Sequence, residues 1–139
     1  MDAAPLVATV ITVSDEVASG ADENRAGPVA VDLLATHDVV ADLVVVPDRV
    51  EAIQAAIRAG ITAGSRVVVT SGGTGIGPSD VTVDAVTPLL DYQVPGIGEE
   101  IRRRGAGHVP SALVSREVAG VVLGRPSTFV LTAPGSRGG

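Results

Sequence analysis

The segment Ser71-Gly72-Gly73-Thr74-Gly75-Ile76-Gly77-Pro78 packs four glycines into six consecutive positions, directly after an apolar run. Without Cβ atoms the backbone can bring N–H groups close to an anion, and the N-terminus of a following helix adds partial positive charge. Phosphate binding is the chemistry this pattern suits. Glycine is also among the commonest turn residues, so composition alone fits a sharp turn equally well. Two other phosphate loops are excluded. A Walker A loop ends in Gly-Lys and the chain has no lysine, while Pro78 stands where a G-x-G-x-x-G pattern begun at Gly73 needs its last glycine.

Asp48 and Asp80 are the carboxylates best placed to serve such a loop, because Mg²⁺ is commonly held by one or two carboxylates together with substrate phosphates. Each has a structural alternative. Asp48 is followed three residues later by Glu51, ahead of Val50, Ile53 and Ile57 on one helical face. That spacing is close to a capping box and, taken alone, favours an N-cap over catalysis. Asp80 could cap the next helix in the same way. Ser115-Arg116 fits a phosphate clamp or, without context, a solvated pair. His37 and His108 are isolated and read as exposed loop residues, since neither has a His or Cys partner at metal-ligand spacing. No G-x-S-x-G elbow and no cysteine is present, which removes serine-hydrolase, thiolate and disulfide chemistry.

These residues need elements to position them. Leu6 to Val13, rich in β-branched residues and bounded by Pro5 and Ser14, reads as a buried strand, and Val39 to Val46, stopped by Pro47, reads as a second strand. Ser65 to Thr70 and Thr128 to Thr132 read as two more. Ser14 to Gly27 reads as a loop, and Pro28 opens a helix carrying Val29 and Leu33. Further helices are expected from Asp48 to Gly60, from near Asp80 to Thr82, and from Pro95 to Arg104 with Gly105 as C-cap. Ala112 to Leu123 fits helix or strand. Alternating strands and helices predict an α/β fold, a mostly parallel sheet with helices on both faces. Ligands in such sheets bind beyond the carboxyl ends of the strands. Asp15, Asp48, Ser71 to Gly77 and Pro134 to Ser136 each follow a predicted strand, so they should converge on one edge.

The composition fits this reading. The 139 residues suit one domain, with a hydrophobic fraction of 45% that is almost wholly aliphatic. A net charge of −6 disfavours nucleic acid and anionic membranes as partners. The start of the chain lacks a secretory signal pattern and no run is long enough to span a bilayer, so a cytoplasmic location is expected. Mean hydropathy of +0.40 suggests more apolar surface than one small core can bury, and hence an oligomer.

The order of several short motifs resembles that of the MogA/MoaB family, whose fold also occurs in gephyrin. They are Thr70-Ser71-Gly72-Gly73-Thr74-Gly75, Asp80-Val81-Thr82, Pro95-Gly96-Ile97-Gly98-Glu99, Ser115-Arg116 and Pro134-Gly135-Ser136, with strand ends Val13-Ser14-Asp15 and Val46-Pro47-Asp48. The resemblance implies a three-layer α/β/α sandwich over residues 1–139, usually a homotrimer, with a further C-terminal helix beyond the position of Gly139. It also implies a molybdopterin adenylyltransferase: the terminal phosphate of molybdopterin attacks the α-phosphorus of ATP and pyrophosphate leaves. Mg²⁺ would rest on Asp48 and Asp80. Ser14, Asp15, Ser71 to Gly75, Thr82, Glu99, Ser115, Arg116 and Pro134 to Ser136 would bind molybdopterin or ATP, and a molybdenum-insertion enzyme of the same pathway would be a partner. The other reading within the resemblance is a MoaB-like protein that binds molybdopterin or a precursor without catalysis. The chain departs from the family at Glu16, at Asn24-Arg25-Ala26-Gly27, at Val83 and at Arg137. Substituting Val for Gly73 or Gly75 is expected to weaken anion binding and leave the fold largely intact.

Overall fold

A computed structural model describes residues 5–135. Four strands run parallel: β1 (Leu6–Val13), β2 (Val39–Val46), β3 (Val67–Ser71) and β6 (Thr128–Ala133). Two short strands, β4 (Tyr92–Gln93) and β5 (Ala119–Val122), complete one six-stranded sheet in the order β2-β1-β3-β6-β5-β4, with β5 antiparallel to both of its neighbours. The two longest strands occupy the residues their β-branched runs predict. They can be long because proline and polar residues stop them cleanly on the loop side.

The helices are α1 (Asp15–Ala18), α2 (Ala26–Ala35), α3 (Val50–Thr62), α4 (Thr82–Val86) and α5 (Pro95–Ala106). Parallel pairing places register partners on the same face, so the sheet has two distinct apolar sides. Ile11, Val13, Val68 and Val130 pack with Ile53 and Ile57 of α3 and with Ala85 and Val86 of α4. Val69 and Leu131 turn the other way, toward α2 and Ile101 of α5. The result is a layer of helix on each side of the sheet, as expected. No helix among the described residues is long and apolar enough to cross a membrane.

Several expected boundaries move. The stretch Ser14 to Gly27 is not all loop, because Ser14 caps α1 by accepting the Val17 N–H at 3.2 Å, and α2 begins two residues before Pro28. Helix α5 continues through Gly105 to a C-cap at Gly107, since the Gly105 backbone is helical and nothing there forces a left-handed turn. The ambiguous stretch Ala112 to Leu123 divides into a 3₁₀ turn over Pro110–Val114 and strand β5.

Candidate active site at the carboxyl edge of the sheet

The loops after β1, β2, β3 and β6 meet at one edge. Those after β1 and β2 are locked by two reciprocal bonds: the Asp15 N–H donates to Asp48 Oδ2 at 3.0 Å, and the Asp48 N–H donates to Asp15 Oδ1 at 2.9 Å. This sets aside the N-cap reading of Asp48. The N-cap of α3 is Arg49, which makes no side-chain cap bond, and the Asp48 carboxylate is turned to the neighbouring loop instead. Partial burial pushes the Asp48 carboxyl above its ordinary pKa, and the charges of Asp15, Glu16 and Asp80 push the same way, against the Asp15 N–H that favours its ionised form.

The glycine loop lies between Asp48 and Asp80. Gly72 and Gly73 have φ of 104° and 69°, a left-handed conformation that glycine adopts without a Cβ penalty. A Cβ on Gly73 would fall on Thr82 Oγ1 and lie 3.5 Å from Asp48 Oδ1. Asp80 does not cap α4, whose N-cap is Val81. Its Oδ2 accepts the Gly77 N–H at 2.9 Å, and a Cβ on Gly75 would come within 2.7 Å of that same oxygen. The expectation that Val at Gly73 or Gly75 spares the structure is therefore corrected. Val at Gly73 strains the backbone and strikes Thr82, and Val at Gly75 displaces Asp80.

Arg116 is neither a solvated residue nor a free anion clamp. Its Nε donates to Gly75 O at 2.9 Å and its Nη2 to Asp80 O at 2.8 Å, while both terminal nitrogens approach the Asp84 carboxylate at 3.3–3.4 Å. One guanidinium thus ties the two ends of the segment from Gly75 to Asp80. Beside it the hydroxyls of Ser115 and Thr74 share a hydrogen bond of 2.8 Å, and the Arg116 N–H donates to Thr74 O at 2.7 Å.

The remaining expected residues separate into two groups. Ser14, Ser71, Gly72 and Gly135 line a cavity of about 310 Å³ with Asn24 and Arg25. Ser71 Oγ also donates to Pro134 O at 3.3 Å, and Thr82 is buried beside Gly73 with its hydroxyl unpartnered among the described residues. Glu99 is not drawn in by any visible contact, since it stands exposed on α5 and makes no hydrogen bond or ion pair among the described residues. Ser136 lies outside the described residues. The motifs leave out Asp84, the carboxylate partner of Arg116, and Glu117, whose side chain is wholly buried against Arg102. The apolar neighbours of Glu117, Val118 and Ala119, were the available signal, because a carboxylate entering a buried strand needs a partner.

The family described as probable molybdopterin binding domain matches residues 9–139. A molybdenum cofactor biosynthesis bifunctional protein of Synechococcus elongatus is 40% identical over 96% of the chain, which spans only 41% of that relative's length. The molybdopterin adenylyltransferase of Pyrococcus furiosus is 36% identical over 91% of the chain and is spanned to 76%. Among solved structures, the tungsten cofactor synthesizing protein MoaB from Pyrococcus furiosus superposes with a TM-score of 0.89 at 32% identity, covering 98% of this chain and 86% of that one. With fold, motif order and relatives in agreement, the chain belongs to the molybdopterin-binding domain family of molybdenum cofactor biosynthesis, with the MogA/MoaB fold.

Proposed function

We propose that this chain transfers the adenylyl group of ATP to the terminal phosphate of molybdopterin. An oxygen of that phosphate attacks the α-phosphorus, the new phosphorus–oxygen bond forms as the bond to the β-phosphate oxygen breaks, and pyrophosphate carries the electron pair away. An ionised phosphate is already a nucleophile, so the protein's task is positioning and charge stabilisation rather than proton abstraction. The observation that carries the reading is the placement of Asp48 and Asp80 on either side of a loop whose glycine positions have no room for side chains.

Mg²⁺ fits these residues. Such an ion takes most of its ligands from phosphates and water and needs only one or two carboxylates from the protein. Asp48 and Asp80 would hold it, and a cation there would offset the charges of Asp15, Glu16 and Asp80 that add to burial in raising the Asp48 carboxyl. When bound, it neutralises charge on the phosphates. The N–H groups of Gly73 to Gly75 would meet the anion, since the Gly72 N–H already donates to Ala133 O at 3.0 Å, while Ser14, Asp15, Ser71, Thr82, Pro134 and Gly135 would shape the surrounding walls. Ser115, Thr74 and Arg116 hold the loop in place. The name carried by the Pyrococcus furiosus relative supports the reaction.

Incubation of the purified protein with molybdopterin and Mg-ATP is expected to give adenylylated molybdopterin and pyrophosphate in equal amounts. Molybdopterin binding without pyrophosphate release would replace the enzyme by a binding protein. The same reading includes a homotrimer, supported by exposed apolar side chains such as Leu33 at 61% and Leu113 at 63%. Light scattering should give the mass of a trimer, and a monomer at micromolar concentration would contradict it.

A further inference from the structure

The segment from Ser115 to Glu117 belongs to no helix or strand, since the 3₁₀ turn ends at Val114 and β5 begins at Ala119. One side of it serves the glycine loop: Ser115 shares a hydrogen bond with Thr74, and Arg116 reaches Gly75 O and Asp80 O. The other side meets α5. Arg102 Nη1 donates to the Glu117 main-chain oxygen at 2.9 Å and approaches Ser115 O and Glu117 Oε2, each at 3.5 Å. Gly98 stands about one turn earlier on the same face of α5, where a Cβ would come within 2.7 Å of Glu117 O. Without that Cβ the helix approaches the segment's backbone directly. The Glu117 side chain is 0% exposed, and among the described residues Arg102 is the only cation within ion-pair distance of it. A buried carboxylate is costly without a partner, so charge as well as the main-chain bond draws the segment to α5.

We infer that Arg102 is a positioning residue for Asp80, acting through Arg116. Its own hydrogen bonds among the described residues go to neither the glycine loop nor Asp80. A guanidinium bonds two carbonyls at once only when its backbone is held at the right height, because hydrogen bonds weaken steeply with misalignment. The carbonyls that Arg102 faces are those of Ser115 and Glu117, on either side of Arg116. Contact therefore passes from α5 through three residues of main chain to the carbonyls of Gly75 and Asp80. Within that loop the Gly77 N–H fixes the Asp80 carboxylate. One guanidinium sets the seat of another. The consequence for turnover rests on the adenylyl-transfer reading, in which Asp80 holds the cation, while the positioning itself is measurable without it.

The test is hydrogen exchange at Arg116, followed by NMR in two variants. Arg102→Met combined with Glu117→Gln removes the cation and its buried counter-charge together, a replacement that folded proteins often tolerate. Gly98→Ala leaves both groups in place and pushes the Glu117 carbonyl away from α5. In each variant the Arg116 Nε–H and the Arg116 amide, which donates to Thr74 O, should exchange at least about tenfold faster than in wild type. The amides of Val10 and Val68, buried in the central strands, should keep their rates. Unchanged exchange at Arg116 would overturn the inference. So would an equal rise at all of these sites, which reports a global loss of stability and no positioning. Both variants should also turn over about tenfold or more slowly with molybdopterin affinity unchanged, as a displaced catalytic group requires. Faster exchange at Arg116 in a protein that transfers no adenylyl group would leave Arg102 in its role and defeat the reaction. Unchanged exchange in variants of an active enzyme would do the reverse.

Discussion

Asp48 and Asp80 flank the same loop but are held by opposite strategies. Asp48 is fixed between elements, by reciprocal bonds with Asp15 that tie the ends of β1 and β2 together. Asp80 is fixed within its own loop, by the Gly77 N–H, and its main chain is braced by Arg116 from the start of the β5 segment. The first arrangement partly buries the Asp48 carboxyl among other acids and so raises it, while the second brings the Arg116 guanidinium to the loop carbonyls. If the site takes phosphates and a divalent cation as proposed, it gains from having one carboxylate in a crowd of acids and another held by its own loop.

The largest loss of stability is expected when the brace is removed. Arg116→Ala deletes bonds to Gly75 O, Asp80 O and Asp84, and since charged hydrogen bonds contribute about 1.5–3 kcal/mol each and this group is partly exposed, a total near 3 kcal/mol is expected by urea denaturation. Arg116→Lys should recover less than half, because one ammonium cannot reproduce the planar fork. An Arg116→Ala protein as stable as wild type would show that the loop holds Asp80 unaided.

Gly73→Val comes next, at about 2 kcal/mol, from a left-handed backbone and a collision with Thr82. Gly75→Ala sharpens the contrast, since its backbone is not left-handed and its Cβ meets only the Asp80 carboxylate. It should cost under about 1 kcal/mol, the ordinary scale of a tolerated substitution, yet slow turnover by displacing Asp80. Equal losses of stability in the two variants would remove the distinction.

The smallest effect is a dependence on pH. A carboxyl whose folded pKa is raised adds stability while protonated and loses it as pH rises through the raised value. Asp48→Asn keeps an oxygen to accept the Asp15 N–H and escapes that loss. Relative to wild type it should gain stability toward neutral pH, and the difference should vanish in acid. Thermal melts across that range would show a constant difference if burial and neighbouring acids had no influence on Asp48.

How far the site is legible in the sequence follows from the separation of its partners. The edge itself is legible, because β1 and β2 are marked by β-branched runs and the acids stand directly after them. The glycine loop is legible because the absence of Cβ atoms is a property of the residues themselves. The orientation of Asp48 is not. A capping-box spacing of three residues is local, whereas Asp15, which claims the carboxylate, lies 33 positions away. Arg116 was ambiguous for the same reason, since Gly75 and Asp80 precede it by 41 and 36 residues. The two-residue strand β4 carries too little pattern to register, and Glu117 becomes notable only once its burial is known.

The central claim, that both carboxylates serve one phosphoryl site, is tested most directly by measuring adenylylation rates of Asp48→Asn and Asp80→Asn beside wild type with molybdopterin and Mg-ATP. Asn preserves the size of each side chain and an oxygen for the Asp15 and Gly77 N–H groups, so folding should survive in both. The account predicts that each variant still binds molybdopterin and that each loses about 10²-fold or more in rate, the scale of removing a charge-stabilising group from a transition state. A near-wild-type rate in either variant would contradict it.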